Sequence, residues 1–297
     1  MSTVVARTGT PGRGLPWAAV GTPTAGPGAA RRTRVTRAGP VPPLTGRPTL
    51  DEERRLWKVG HQWVAGLDEV GRGAWAGPVT VGVALVRPGV RRNGMPRWLR
   101  DSKLLAEDRR EAIFEEVARW CAAWAVGHAD ADECDRWGMT AALRLASYRA
   151  LAGLGSRPDA LIIDGPHDLL RAPVVEVVEL PLAGVGDSGV AGPGLWARDR
   201  FRYRQPGPPP LPEVELPGVV RPLIDADARC AAVAAASVLS KVVRDRLMRE
   251  EAEHYPVYGF EQNKGYPSPI HKTALKGYGL SAIHRRSWAF VDGIPWA

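Results

Sequence analysis

The sequence has little cysteine, little lysine and no long apolar run. Its 297 residues include three cysteines, Cys121, Cys134 and Cys230, with no C-x-x-C pair. A disulfide scaffold and a cysteine-rich zinc module are therefore excluded as organising devices, and a reducing, cytoplasmic setting is expected. No stretch approaches the roughly 20 apolar residues that a membrane helix needs. The six histidines show neither H-E-x-x-H nor H-x-H spacing, which leaves no histidine-based metal site. Walker-type loops, G-x-G-x-x-G and the G-x-S-x-G nucleophile elbow are also missing.

Acidic residues are absent from one region in particular. Residues 1–50 hold seven arginines and no Asp or Glu, which leaves 33 basic and 32 acidic residues in 51–297. The net charge of +8 thus belongs to a tail, and the body is nearly neutral. Any nucleic-acid reading must rest on local arrangement in the body. Residues 1–50 lack apolar periodicity and are expected to be disordered, with the extension as a whole taken to residue 60. Three roles stand open for it: an extension without function, a basic arm adding salt-sensitive DNA affinity, or an Arg-rich transit peptide.

From His61 the pattern is that of one α/β domain, spanning 61–297. Trp63–Leu67 and Pro78–Val86 read as two strands around a glycine-rich turn. Leu104–Trp124 has helical spacing with Ser102 as its N-cap, and Ala131–Leu154 repeats that spacing. Ala160–Ile163 and Val219–Ile224 read as short strands, and Arg229–Glu253 as the strongest helix, alanine-rich in its first half. Residues 184–217 are a low-order Gly/Pro-rich insertion, expected to be a solvated loop. Residues 255–297 form a Gly/Pro-punctuated C-terminal region around a short helix near His271–Lys276. Alternating strands and helices imply a mixed, partly parallel central sheet flanked by helices.

Carboxylates stand at three predicted strand ends: Asp68 with Glu69, Asp164, and Asp225 with Asp227. One Asp after a strand is usually a turn former or cap. Three strand ends that each supply one can meet in a single crevice, where like charges need a counter-cation. All-oxygen ligation selects Mg²⁺ or Mn²⁺, and three to four carboxylates suit two ions flanking a phosphate. Gly71-Arg72-Gly73 follows directly, and its glycines permit close approach of the backbone to a ligand. The chain has 34 arginines but only six lysines, and Lys103, Lys241 and Lys264 fall in short polar motifs. A lysine kept where arginine is the default suggests a site that wants a compact ammonium.

Gly66-Leu-Asp-Glu-Val-Gly-Arg-Gly73 with Ala76-Gly-Pro78, Asp101-Ser-Lys-Leu104, Ile163-Asp-Gly165, Ala234-Ala-Ala-Ser237 with Lys241 and Arg244-Asp245, Tyr258-Gly-Phe260, Lys264-Gly-Tyr266 and His284-Arg-Arg-Ser287 together resemble ribonuclease HII. The resemblance covers about residues 63–291 and is broken only by the insertion. The central Arg72 of the first motif sets it apart from the sibling ribonuclease HIII. It implies an RNase H-like fold and a metal-dependent endoribonuclease acting on RNA–DNA hybrids and on duplex DNA that contains ribonucleotides. By the same resemblance Asp68, Glu69, Asp164 and Asp227 would bind two Mg²⁺ or Mn²⁺ ions and carry catalysis. Gly71, Arg72 and Gly73 would read the 2′-hydroxyl and phosphates, Tyr266 would pack on the sugar after the junction, and Lys103 and Lys264 would meet phosphate or balance charge. A monomer is expected, with contact to a sliding clamp left open. The family's pattern has a basic residue where this chain has Asp225, a fifth carboxylate that would tighten the ions, crowd them or face solvent. The rival readings are a ribonuclease HIII-like preference for long hybrids and a non-catalytic hybrid-binding protein.

Overall fold

The structure is a computed structural model that describes residues 5–8, 47–90, 94–171 and 207–294. The strand pair expected from residues 63–86 is β2 (Val64–Val70) and β3 (Val79–Val86), antiparallel and joined through the Gly71–Pro78 turn. Ala123–Ala129 (β4) continues the sheet beyond β3. On the other side β5 (Ala160–Asp164) runs parallel to β2, and β6 (Val219–Leu223) runs parallel to β5. Val5–Thr8 (β1) pairs with β4, giving the order β1-β4-β3-β2-β5-β6.

Helices cover both faces. One face packs against α3 (Ala131–Gly153), whose start is closed by a capping box between Asp130 and Glu133. The other packs against α2 (Glu107–Trp120) and α5 (Ala231–His254). Between β6 and α5 lies one short turn of helix, α4 (Ala226–Arg229). The alanine-rich half of α5 sits very close to the sheet. A Cβ at Gly66 would stand 2.2 Å from Val233 N, and one at Gly82 would stand 2.5 Å from the Ala236 carbonyl. Strand glycine and helix alanine together set this distance, which brings the middle of α5 down to the site.

Four expectations need correction. The helix expected over 104–124 ends at Trp120, and 123–129 is a strand with every residue buried. A strand covered on both faces shows no alternation, and its alanines favour helix locally. Ser102 does not cap α2, which starts at Glu107 after Ala106. Asp101 instead accepts the Lys103 N–H and closes a short 3₁₀ turn, Ser102–Leu104. The extension does not run to residue 60. Leu50 and Leu56 of the segment carrying α1 (Asp51–Lys58) are buried against the body, Thr49 forms a bridge with Cys230, and Val5–Thr8 is a strand rather than disordered chain. Of the insertion, 184–206 falls outside the described residues. Leu211, Val214 and Leu216 pack against the core on the α3 face, so its last part is not a solvated loop. Residues 9–46 also fall outside the described set.

Glu53 of α1 is fully buried and accepts the Ala232 N–H at 2.8 Å, satisfying a free donor of the first turn of α5. Burial, and then the charges of Glu52 and Asp51, push its carboxyl up to about 7. The folded state holds this proton more tightly than the unfolded chain does. The contribution is complete below the ordinary glutamate range and is lost as pH rises through about 7. Glu53→Gln keeps the acceptor without the charge. It should raise stability by about 1–3 kcal/mol at pH 8 and by little at pH 4.5, as read by urea unfolding at both values. Gly66→Ala and Gly82→Ala each place a methyl group into helix backbone and should destabilise by about 3 kcal/mol or more, measured the same way.

Candidate active site at the ends of three strands

Strands β2, β5 and β6 are parallel, so their C-terminal ends lie on one edge of the sheet. Leu67 pairs with Ile163, which puts Asp68 level with Asp164. Asp164 pairs with Leu223, after which the chain turns into α4 and delivers Asp227 in its first turn. The Ala226 N–H donates to Asp164 Oδ1 at 2.7 Å and ties this turn to β5. All four carboxylates thus reach one crevice from three strand ends.

Asp68 is 3% exposed. Burial, and then the charges of Glu69, Asp164 and Asp227, push its carboxyl up to about 8, against a hydrogen bond from Ser237. The Ser237 hydroxyl also meets that of Ser102 at 2.8 Å. Burial likewise raises Glu69, and Arg72 at 3.7 Å opposes this. Asp164 is raised by burial and by the Asp227 charge. Lys103 Nζ lies 3.2 Å from Asp227 Oδ2. Partial burial works against the lysine's charge, yet Asp227, Asp68 and Asp101 hold its pKa above the ordinary range.

Among the described residues no three His, Cys, Asp or Glu side chains are gathered tightly enough to hold an ion as they stand. Repulsion accounts for this: Glu69 leans to Arg72, Asp164 to the Ala226 amide and Asp227 to Lys103. The donor set nonetheless fits a hard divalent cation. It is all oxygen, it comes from fixed strand ends, and the burial and mutual repulsion that raise Asp68, Glu69 and Asp164 are what a bound divalent cation would offset.

The turn after β2 is built for access. Gly71 has φ +84 and is buried, while Arg72 and Gly73 are exposed and a Cβ at Gly73 would meet nothing within 4 Å. The Gly71 N–H donates to the Tyr266 hydroxyl at 3.0 Å. The Tyr266 carbonyl is held in turn by His271 Nδ1 at 3.0 Å, and His271 Nε2 lies 2.9 Å from His284 Nε2. Because His284 Nδ1 accepts the Ser281 N–H, its Nε2 carries the proton and donates to His271, which then donates to Tyr266. Both imidazoles are therefore neutral, in keeping with burial that lowers each of them and takes His284 to about 3.

A family model described as Ribonuclease HII matches residues 65–180 and 220–291. The chain belongs to the ribonuclease HII family. It is 43% identical over 249 residues to a ribonuclease HII of Streptomyces avermitilis, covering 84% of this chain and 86% of that one. It is 39% identical to a ribonuclease HII of Thermus thermophilus, covering 82% and 94%. The ribonuclease H2 of Pyrococcus horikoshii superposes with TM-score 0.55 at 24% identity, over 78% of this chain and 96% of that one, and shares the fold. The RNase H-like fold and the hydrolase class implied by the motifs therefore hold. Members of the family are endoribonucleases with RNase H activity on RNA–DNA hybrids. The residues between the two matched segments, 181–219, contain the insertion of 184–217.

Within the ribonuclease HII fold the expected site residues divide into two groups. Asp68, Glu69, Asp164, Asp227 and Lys103 are brought together, and Gly71, Arg72, Gly73 and Tyr266 adjoin them. Lys264 is not: it is 4% exposed, and its ammonium bonds to Glu107 and to the Glu261 carbonyl. Asp225 is exposed, has φ 55 and makes no capping bond, so it faces solvent. Reading the sequence gave Ser237 as a local hydrogen-bonding residue but missed its partner Ser102, and it missed Arg110, which holds the Ser102 carbonyl and pairs with buried Asp245 at 3.3 Å. It also missed two buried arginines that grip backbone carbonyls, Arg244 and Arg285. Their signal was membership of the motifs Arg244-Asp245 and His284-Arg-Arg-Ser287, which gives no role for either side chain.

Removing one charge tests the crevice. Asp68→Asn should unfold at a higher temperature than wild type without divalent metal. With millimolar Mn²⁺ the order should reverse, because wild type gains the binding free energy and the variant does not. Thermal melts with and without Mn²⁺ read both effects.

Proposed function

We propose that this chain cuts the RNA strand of RNA–DNA hybrids and nicks duplex DNA on the 5′ side of an embedded ribonucleotide, leaving 3′-hydroxyl and 5′-phosphate ends. The observation that carries this reading is the adjacency of two devices on β2. Its end supplies Asp68 and Glu69, and the turn that begins one residue later exposes Arg72 and Gly73. Asp68, Glu69, Asp164 and Asp227 would hold two Mg²⁺ or Mn²⁺ ions. When bound, such ions supply an activated water and Lewis-acid stabilisation of the leaving oxygen.

The protein's own part is placement. Asp68 is held by Ser237 and Asp164 by the Ala226 amide, so the donors stay fixed while the scissile phosphate is aligned. Lys103 keeps most of its side chain in solvent while its ammonium rests on Asp227, within reach of a phosphate oxygen entering the crevice. The exposed turn offers a close backbone approach, and only such an approach reads a 2′-hydroxyl at a single nucleotide. Tyr266, half-buried beside Gly71, presents its ring to the neighbouring sugar.

One solved relative in fold is the PCNA:RNase HII complex from Archaeoglobus fulgidus. A clamp contact is a property of that protein, and this chain's enzymatic reading does not depend on one.

End-labelled duplex DNA with one ribonucleotide, incubated with Mg²⁺, Mn²⁺ or EDTA, checks the reading. Wild type should nick 5′ of the ribonucleotide with either metal, whereas EDTA and Asp68→Asn should each reduce the rate by at least about 10³-fold. Cleavage of long hybrids alone would favour the ribonuclease HIII-like preference. Binding without cleavage would overturn the enzymatic reading.

A further inference from the structure

Arg285 is fully buried, yet no carboxylate pairs with it among the described residues. Its guanidinium donates only to carbonyls: Gly71 at 2.6 Å, Arg72 at 2.9 Å, and Gly77 at 3.1 and 3.3 Å. A cation buried on neutral partners is costly, and only the fork of a guanidinium can hold three carbonyls on both limbs of a turn at once. The place where the chain tolerates that cost is directly behind the turn that exposes Arg72 and Gly73.

The orientation of the turn follows from peptide geometry. Among the described residues no peptide is cis, so each peptide N–H points opposite to the carbonyl of the same plane. The Gly71 carbonyl is turned inward to Arg285, which turns the Arg72 N–H outward. The Arg72 carbonyl is turned inward as well, which turns the Gly73 N–H outward. Neither N–H donates to an acceptor among the described residues, and both residues are exposed. Two adjacent outward donors, backed by a buried positive charge, make a concavity suited to one oxygen with free lone pairs.

We propose that Arg285 is the positioning residue for recognition of the ribonucleotide 2′-hydroxyl: by holding the Gly71 and Arg72 carbonyls it aims the Arg72 and Gly73 amides into the groove. The inference rests on the reading of this turn under the proposed function. A merely structural role for the side chain is a weaker account, because the segment is anchored without it. Gly77 N–H bonds to the Ile283 carbonyl, Arg285 N–H to the Trp75 carbonyl, and the Arg286 and Ser287 amides to Asp135.

The test uses Arg285→Met, which fills the site without charge, and Arg285→Lys, which keeps charge but lacks the fork. Fluorescence anisotropy with Ca²⁺ in place of Mg²⁺ compares duplexes that carry one ribonucleotide or the matching deoxynucleotide. Wild type should favour the ribonucleotide duplex by about tenfold, the worth of one or two hydrogen bonds, and both variants should bring that ratio close to one. The Mn²⁺-induced shift in melting temperature should stay at the wild-type value, showing an intact carboxylate crevice. With Mg²⁺, kcat/KM on the ribonucleotide duplex should fall by at least as large a factor. A folded variant that keeps the wild-type binding ratio would overturn the proposal, as would a wild type that shows no preference. A wild type that prefers the ribonucleotide without cutting it would sink the enzymatic reading and leave the role of Arg285 standing.

Discussion

Two like charges 4 Å apart repel by about 4 kcal/mol at the effective dielectric found near protein surfaces. Four carboxylates at one sheet edge therefore form a centre that the surrounding fold has to hold open. Separate strands do most of this. The register of β2 against β5 and of β5 against β6 fixes the backbone of each donor, so repulsion can swing side chains but cannot disperse the set. Ser237, the Ala226 amide and Lys103 then each take one carboxylate. Ser237 reaches Asp68 only because α5 lies so close to the sheet, which traces the arrangement back to Gly66, Gly82 and the alanines opposite them.

Positive charge is handled by the opposite device. Arg244 is as buried as Arg285 and donates to the carbonyls of Pro78, Lys264 and Ala76. Between them the two guanidiniums hold the whole 71–78 loop and tie it to the C-terminal region. The neutral imidazole pair steadies Tyr266 without adding charge. The buried guanidiniums stand behind the turn while Lys103 and Arg72 stand exposed beside the carboxylates, so a body with 33 basic and 32 acidic residues still places positive charge locally at the crevice. The field that matters is local and lies within a few ångströms of β2.

Much of this was legible from the residues. Asp68 with Glu69, Asp164, and the pair Asp225 and Asp227 stood out because they follow apolar runs at strand ends, a pattern that survives in a single sequence, while the choice of Asp227 over Asp225 came from the family resemblance. The strands at 64–70, 79–86 and 160–164 were legible for the same reason. β4 was not, since Ala-Trp-Ala-Val-Gly-His-Ala is buried on both faces and carries no period of two. Nor was α1, whose short charged sequence gives no sign that Glu53 is buried beneath the start of α5. Lys264 looked like a groove residue because its motif is polar. Its left-handed backbone, φ 52, goes with a side chain directed to Glu107, and neither feature has a signature in composition. Contacts made across more than 100 residues, such as Arg285 to Gly71, lie beyond any local pattern.

Asp225 shows how position decides what a charge does. Two residues before Asp227 it might be taken as a fifth ligand, but its φ of 55 makes it the point where the chain reverses between β6 and α4. A residue in that conformation projects away from the concave side of the turn, and the side chain is exposed. After burial, the charges that raise Asp68 and Asp164 are those within the crevice, Asp227 among them. The Asp225 charge sits on the rim, where counter-ions screen it over about 10 Å at moderate salt. An acid placed there acts on approaching phosphates as a weak, salt-sensitive repulsion, and the crevice behind it keeps its four carboxylates.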